Sequence, residues 1–297
     1  MLYPMRMGLH MPLEIEFRPC MIVLERGPFM PDLSAVSNTL YVPLLGRIYA
    51  SKHHAAILHD PAALDIDQKL DLKIKALPGQ TEYSSLASAV RSQNMDYEIR
   101  AFLSANPDGV IVNVGCGLET IYQRCDNGKA IWFELDLPEV IELRRQYIPE
   151  TERDRYLPSS MFDYAWMRVV RQAGDKPIMI IAAGLFIYFP KDRVISFIRH
   201  LIDFSHAELV FDTLSPTGLK IAGSMIKRMG KQAARTHFCV DDAEAFAAKI
   251  SPNVKLVNTR PFYSLVDYRA NLSFPTRFRM AFSDAFNMVK TIHLKLS

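Results

Sequence analysis

From residue 110 onward the chain alternates short apolar runs with stretches of helical period, which predicts parallel strands buried on both faces with helices between them. The runs are Val110 to Val114, Ala130 to Leu135, Ile178 to Ala182, Glu208 to Phe211, Val254 to Val257 and Thr291 to Leu296. Between the third and fourth, Val194, Phe197, Ile198, Leu201 and Ile202 form one apolar stripe at helical spacing, with Pro190 near its start. A doubly wound α/β sheet accommodates this order of elements.

Upstream the pattern differs. From about Thr39 to Asn106 the text is mostly helical, with Leu86, Val90, Ile99, Phe102 and Leu103 near helical spacing, and Pro107-Asp-Gly then supplies a turn. We therefore expect a helical cap or lead-in over 30–108 and a core over 109–297. Residues 1–29 show no clean period, and Met30-Pro-Asp-Leu resembles an ordinary start, so this leader is expected to be an extension of the fold or an artefact. Within 215–240, Leu219, Ala222, Ile226 and Met229 make a stripe, while Lys220, Lys227, Arg228, Lys231 and Arg235 make a basic face. That segment reads as a lid over an anionic substrate, or as a solvated face above a buried stripe.

Composition narrows the partners. Of 297 residues, 49% are hydrophobic and 23% charged, enough for a sizeable core. The net charge of +3 is spread over 35 basic and 32 acidic residues with no basic block, which argues against nucleic acid. No run of about 18 uninterrupted apolar residues marks a membrane span. Cys20, Cys116, Cys125 and Cys239 stand far apart, lack the spacing of zinc or dithiol motifs, and read as free thiols in a reducing compartment. A cytoplasmic protein is the expectation. His53, His54 and His59 fit no common metal-site spacing, so no metal is expected.

The informative stretch is Val110-Ile-Val-Asn-Val-Gly115-Cys-Gly117-Leu-Glu-Thr120, a buried strand running into a glycine turn. There Gly115 permits the turn and Gly117 lets a ligand approach the backbone. Thr120 stands where a dinucleotide-binding loop has its third glycine, which disfavours a nicotinamide oxidoreductase. About twenty residues on, the second strand ends in Glu134-Leu-Asp136-Leu-Pro138. An acid at that position can accept hydrogen bonds from both hydroxyls of a ribose, and Asp136 could also cap the helix that Pro138 begins.

These residues resemble the leucine carboxyl methyltransferase family, and within it the bacterial branch named for a polyketide O-methyltransferase of tetracenomycin biosynthesis. The likeness runs from roughly Thr39 to the C-terminus. It rests on Ile57-Leu-His-Asp60-Pro-Ala, on Arg91 with Asp96, on Ile99-Arg-Ala-Phe-Leu, and on Asn113-Val-Gly-Cys-Gly-Leu-Glu-Thr120. Further on it rests on Glu134-Leu-Asp-Leu-Pro-Glu-Val-Ile141 with Leu143-Arg-Arg, on Ser160-Met-Phe-Asp163 and on Gly184-Leu-Phe-Ile-Tyr188. The resemblance implies a Rossmann-like class I S-adenosylmethionine-dependent methyltransferase. Its seven-stranded, mostly parallel sheet would have an antiparallel last strand and an N-terminal helical cap. By motif position Gly115, Cys116 and Gly117 should lie under the methionine part of the cofactor, and Asp136 with Leu137 should lie at its ribose. Asp163, or the backbone beside it at Tyr164, should meet the adenine, and Ala183 should line the same crevice after the fourth strand. Arg91 matches the family arginine that reaches the methionine carboxylate or the substrate carboxylate, with Arg47 a second candidate for that cluster.

Two departures stand out. The family's acid after the fourth strand is replaced by Ala182-Ala183-Gly184, and its Gly-Leu-Asp-Thr-Arg appears as Gly117-Leu-Glu-Thr120-Ile121, leaving Arg124 as a candidate replacement. The implied activity is O-methylation of a carboxylate or phenolic hydroxyl on a small polyketide-like or aromatic acceptor. A carboxylate is ionised near pH 7 and needs only orientation, by Arg91 and the basic segment. A phenol needs a base, drawn from His53, His54 or His237. Tyr188, just past the fourth strand, is placed for either pocket. The alternative is a catalytically idle cofactor-binding sensor. The oligomeric state stays open between monomer and homodimer.

Overall fold

The protein is described here from a computed structural model, which covers residues 33–75, 81–221, 238–267 and 271–296. The leader 1–29, most of the basic segment and His237 lie outside these described residues.

Four helices come first: α1 (Leu33–His53), α2 (Pro61–Lys69), α3 (Leu72–Lys75) and α4 (Glu82–Ala105). Their starts are written locally. The Asp60 carboxylate accepts the Ala63 amide at the head of α2, and Thr81 and Ser84 form a reciprocal capping box at the head of α4. The core then runs β1 (Val110–Val114), α5 (Ile121–Cys125), β2 (Ile131–Asp136), α6 (Pro138–Arg145), β3 (Asp154–Pro158), α7 (Trp166–Arg171) and β4 (Ile178–Ala182). After a 3₁₀ turn at Phe186–Tyr188 it continues with α8 (Lys191–Leu201), β5 (Ala207–Leu214), α9 (Ala243–Ile250), β6 (Lys255–Pro261), α10 (Phe274–Ala285) and β7 (Val289–Lys295). Residues from 32 onward form one compact unit.

The strands assemble as one seven-stranded sheet in the order β3-β2-β1-β4-β5-β7-β6, in which only β7 runs antiparallel to its neighbours. This is the class I methyltransferase arrangement that the resemblance implied. Every residue of β1 and β4 is buried, because both faces are covered. Val110, Val112 and Val114 face the layer holding Met167 of α7, Phe197 of α8 and Phe246 of α9. Ile111 faces the opposite layer with Ile99 and Phe102 of α4 and Ile121 of α5.

The apolar pattern found six strands and overlooked β3. That strand pairs with β2 from Trp132 opposite Asp154 to Asp136 opposite Pro158. It is a sheet edge that begins on a buried carboxylate and ends on proline, so its sequence reads as a polar loop. The Asp136 cap reading is corrected as well: Leu137 holds the cap position of α6 and no side chain caps it.

Candidate functional site

The carboxyl ends of β1, β2, β4 and β5 meet at one edge of the sheet, where open α/β folds bind their ligands. At the end of β1 the chain turns through Gly115 and Gly117, both at positive φ, +70° and +48°. That backbone suits glycine and strains other residues. Within the turn, the Gly115 and Cys116 amides donate to the Leu135 carbonyl at 2.7 and 3.2 Å. The Gly117 amide donates to Asp136 Oδ2 at 2.8 Å, and the Leu137 amide donates to Asp136 Oδ1 at 2.8 Å. The Asp136 carboxylate is thereby fixed at the strand end, partly exposed. Burial pushes its carboxyl above the ordinary range, against the two amides and Arg144. With one backbone donor on each oxygen, a lone pair on each remains for two hydroxyls.

Two buried ionic clusters hold the loop from behind. Below it, Arg144 donates to the carbonyls of Gly117 (3.1 Å) and Glu119 (2.6 Å). Its guanidinium stands 3.5 Å from Glu134, which accepts from Asn113 at 2.7 Å. Beside them Asp154 is buried, and burial together with Glu134 pushes its carboxyl up to about 8. Behind the loop, Arg124 donates to Asp96 (2.9 Å) and Asp60 (2.7 Å), and lies 2.8 Å from Glu119. There Arg47 donates to Asp60 (3.1 Å), Glu119 (3.2 Å) and the Leu118 carbonyl (2.6 Å). Burial alone would raise Glu119, but Arg47 and Arg124 hold it down to about 2.

These contacts revise several expectations. Only 1% exposed, Arg47 is spent on the loop and is not free for a substrate carboxylate. By contrast Arg124 does sit at the glycine loop, one helical turn beyond Ile121. The Cys116 thiol packs against Ile141 and Tyr156, and burial holds it protonated, so only its backbone faces the edge. Ala183 packs toward the α4 and α5 layer.

Across the edge the groups are fewer and more open. Arg91 projects from α4 with its side chain 30% exposed and donates from Nε to Asp212 Oδ2 at 3.0 Å. The other oxygen of Asp212 accepts the Gly184 amide at 2.5 Å. Gly184 sits at φ +65°, a backbone that strains other residues, and a Cβ there would lie 3.0 Å from the Arg91 guanidinium carbon. Among the described residues, no hydrogen bond engages the terminal nitrogens of Arg91. Tyr188 and Tyr263 stand near enough to act on its charge, Tyr188 being 46% exposed and Tyr263 buried. A cleft of about 400 Å³ opens three residues past Asp212, lined by Ser215, Thr217, Asp241, Asn287 and Lys290 among others.

The segment after β3 adjoins the edge, since the Ser159 amide donates to the Asp136 carbonyl at 2.9 Å. The exposed Asp163 accepts the Ala165 amide, and Tyr164 stacks on His200 of α8 with centroids 3.8 Å apart. At the end of α1, His53 is exposed, while His54 stands 3.6 Å from Glu82. Among the described residues there is no metal-binding cluster of His, Cys, Asp and Glu, and no helix long and apolar enough to cross a membrane.

Reading residues by type missed Asp212, Asp60, Asp96 and Glu134 as parts of the site. Asp212 had a usable signal: it follows the apolar run Leu209-Val-Phe, just as Asp136 follows its own strand.

Comparison with known proteins agrees with this architecture. A family model described as leucine carboxyl methyltransferase matches residues 43–202. The tetracenomycin polyketide synthesis O-methyltransferase TcmP of Streptomyces glaucescens is 26% identical over 195 residues, 64% of this chain and 70% of its own length. The S-adenosyl-L-methionine-dependent methyltransferase dpfgK of Gibberella zeae is 25% identical over 191 residues, 60% and 63% respectively. Among solved structures, a candidate methyltransferase from Thermobifida fusca superposes with TM-score 0.55 at 17% identity, covering 87% of this chain and 93% of its own.

Proposed function

The chain belongs to the leucine carboxyl methyltransferase family and is an S-adenosylmethionine-dependent methyltransferase, and on that premise we propose that it methylates a carboxylate oxygen of a small polyketide-like or aromatic acid. The observation that carries the reading is the placement of two acidic ends on one sheet edge. Asp136 stands beside the glycine loop with lone pairs to spare, and Asp212 stands beside Gly184 paired to Arg91.

The donor set fits the cofactor. Asp136 would hold the ribose hydroxyls, and Gly117, at positive φ, turns the loop beside them. Arg91 and Asp212 present a cation and an anion side by side, complementary to the carboxylate and ammonium of an amino acid. Asp212 thus fills, from β5, the role of the acid missing after β4. Ser160 to Tyr164 would border the adenine through backbone rather than through the outward-turned Tyr164 ring.

When bound, the cofactor supplies a methyl carbon on a cationic sulfur, which an ionised oxygen can displace with no proton to remove. The chain's own task is then alignment of acceptor and methyl. Among the described residues no imidazole contacts Arg91, Asp212 or Tyr188. An acceptor that arrives ionised needs none. The name of the Streptomyces relative, an O-methyltransferase of polyketide synthesis, supports an oxygen acceptor on a polyketide-like molecule.

The test uses cofactor labelled in its methyl group, with aromatic carboxylic acids and matched phenols as acceptors. Carboxyl methylation gives a product whose label mild alkali releases as methanol; a phenol ether keeps it. Alkali-stable label would establish the phenol reading, with His53, His54 or His237 as the base to replace. Binding of the cofactor without transfer to any acceptor would favour the idle sensor.

A further inference from the structure

The outer face of α10 carries four phenylalanines one helical turn apart, Phe274, Phe278, Phe282 and Phe286, which are 78%, 60%, 41% and 61% exposed. Their rings follow one another along the helix with centroids 6.5, 6.1 and 4.5 Å apart. The inner face is already satisfied, since Thr276, Met280 and Ser283 are buried. Ala281 and Ala285 lie exposed between the rings, so another backbone can come close. Phenylalanine side chains bury some 150–250 Å² each when covered, so these exposures leave roughly 500 Å² of ring in water. That is near the upper end of what a monomer leaves bare, and such patches mark interaction sites.

We propose that this stripe is the interface of a homodimer, in which α10 packs antiparallel against α10 of a second copy. The spacing is symmetric about Met280. A two-fold axis there sets Phe278 against the partner's Phe282 and Phe274 against the partner's Phe286, so every ring meets a ring. Counted on both copies, covering the stripe buries up to about 1,000 Å² of aromatic surface, the lower bound for a specific interface and the size class of weak, reversible association. Charge agrees with this register. Arg277 and Arg279 flank the stripe, and the same symmetry sets Arg279 opposite the partner's exposed Ala281, so no arginine faces an arginine. Two arginines are also fewer than the four to eight cations that anionic lipid surfaces attract. Phe286 also lines the cleft past Asp212, so the dimer is tested at Phe278 and Phe282, which line no part of it.

Sedimentation equilibrium of the full chain from about 1 to 100 µM, the range in which a micromolar dimer dissociates, should give a dimer. Phe278→Arg and Phe282→Asp, each at an exposed helix position, should keep the melting temperature and weaken association by about a hundredfold. Mixing the two variants should recover about tenfold of that loss, because the antiparallel register sets the cation introduced in one copy against the anion introduced in the other. A monomer at all concentrations, or a dimer indifferent to folded variants, overturns the interface. Failure of the mixture to recover overturns the register. Flotation of monomeric protein with phosphatidylserine–phosphatidylcholine vesicles would assign the stripe to a lipid surface instead.

Discussion

The two halves of the crevice are built to different standards. On the β1–β2 half, the glycine loop rests on Arg47, Arg124 and Arg144, each at most 3% exposed at the side chain, with carboxylates on every side. On the β4–β5 half the ion pair that stands at the edge among the described residues is Arg91 to Asp212, with Arg91 30% exposed and its two terminal nitrogens hydrogen-bonded to none of those residues. Buried charges cannot shift without losing their partners, so the first half is fixed before any ligand arrives. Exposed groups can reorient. The rigid half therefore suits the proposed nucleoside contact, and the open half suits the amino-acid end of the cofactor, for which we propose Arg91 and Asp212.

The largest test of that contrast removes a cation from the rigid half. Arg124→Met leaves Asp60, Asp96 and part of Glu119 without their shared partner, and breaking a buried pair on one side costs about 3–5 kcal/mol. Urea unfolding should show the loss. A change below about 1 kcal/mol, the scale of an exposed pair, would erase the distinction between the halves. Next comes the ligand-facing tip of the same half. Asp136→Ala should weaken S-adenosylhomocysteine binding by about a hundredfold, near 2.7 kcal/mol. Calorimetry finding unchanged affinity in a folded variant would remove the ribose assignment.

How far the site was legible in the sequence follows the same divide. Gly115, Gly117 and Asp136 were readable because a fully buried strand leaves a clear apolar run, and the residues at its carboxyl end must lie at the sheet edge. The cluster behind the loop was not readable. Arg47, Asp60, Asp96, Glu119 and Arg124 come from α1, the head of α2, α4, the loop and α5, and nothing in local spacing says that they converge. Asp60 and Asp96 stood out only within motifs, without a role. β3 escaped because its buried charge disguised it. Asp212 escaped because an acid was sought at the β4 end alone, whereas neighbouring strands deliver side chains to one place.

A pH test asks whether the open half is anchored elsewhere. Below the edge, His293 of β7 bonds Glu98 of α4 at 3.1 Å and Glu208 of β5 at 2.8 Å, and Arg260 of β6 pairs with Glu98. This cluster pins α4 to the open half two turns from Arg91. Burial works to lower the imidazole, but Glu208 and Glu98 raise it to about 9, above its ordinary 6.5. Since the folded state binds the proton more tightly, the stabilisation is complete below pH 6.5 and is lost as pH rises through 9. Between pH 7 and pH 9 the loss should be about 2 kcal/mol, absent in His293→Gln. A wild-type stability flat across that range would show that the folded state does not hold the His293 imidazole protonated.

The smallest effect belongs to Asp212, and it separates the proposed ammonium contact from a merely structural pair. Asn at this position keeps an oxygen for the Gly184 amide and nearly the same volume, so Asp212→Asn removes the charge with little change of shape. S-adenosylhomocysteine should then bind about tenfold more weakly, near 1.4 kcal/mol. An analogue without the amino group has no ammonium to lose, and should bind wild type and variant alike. If both ligands weaken together, Asp212 acts only by holding Arg91 in place, and the open half contains a single recognition group instead of two.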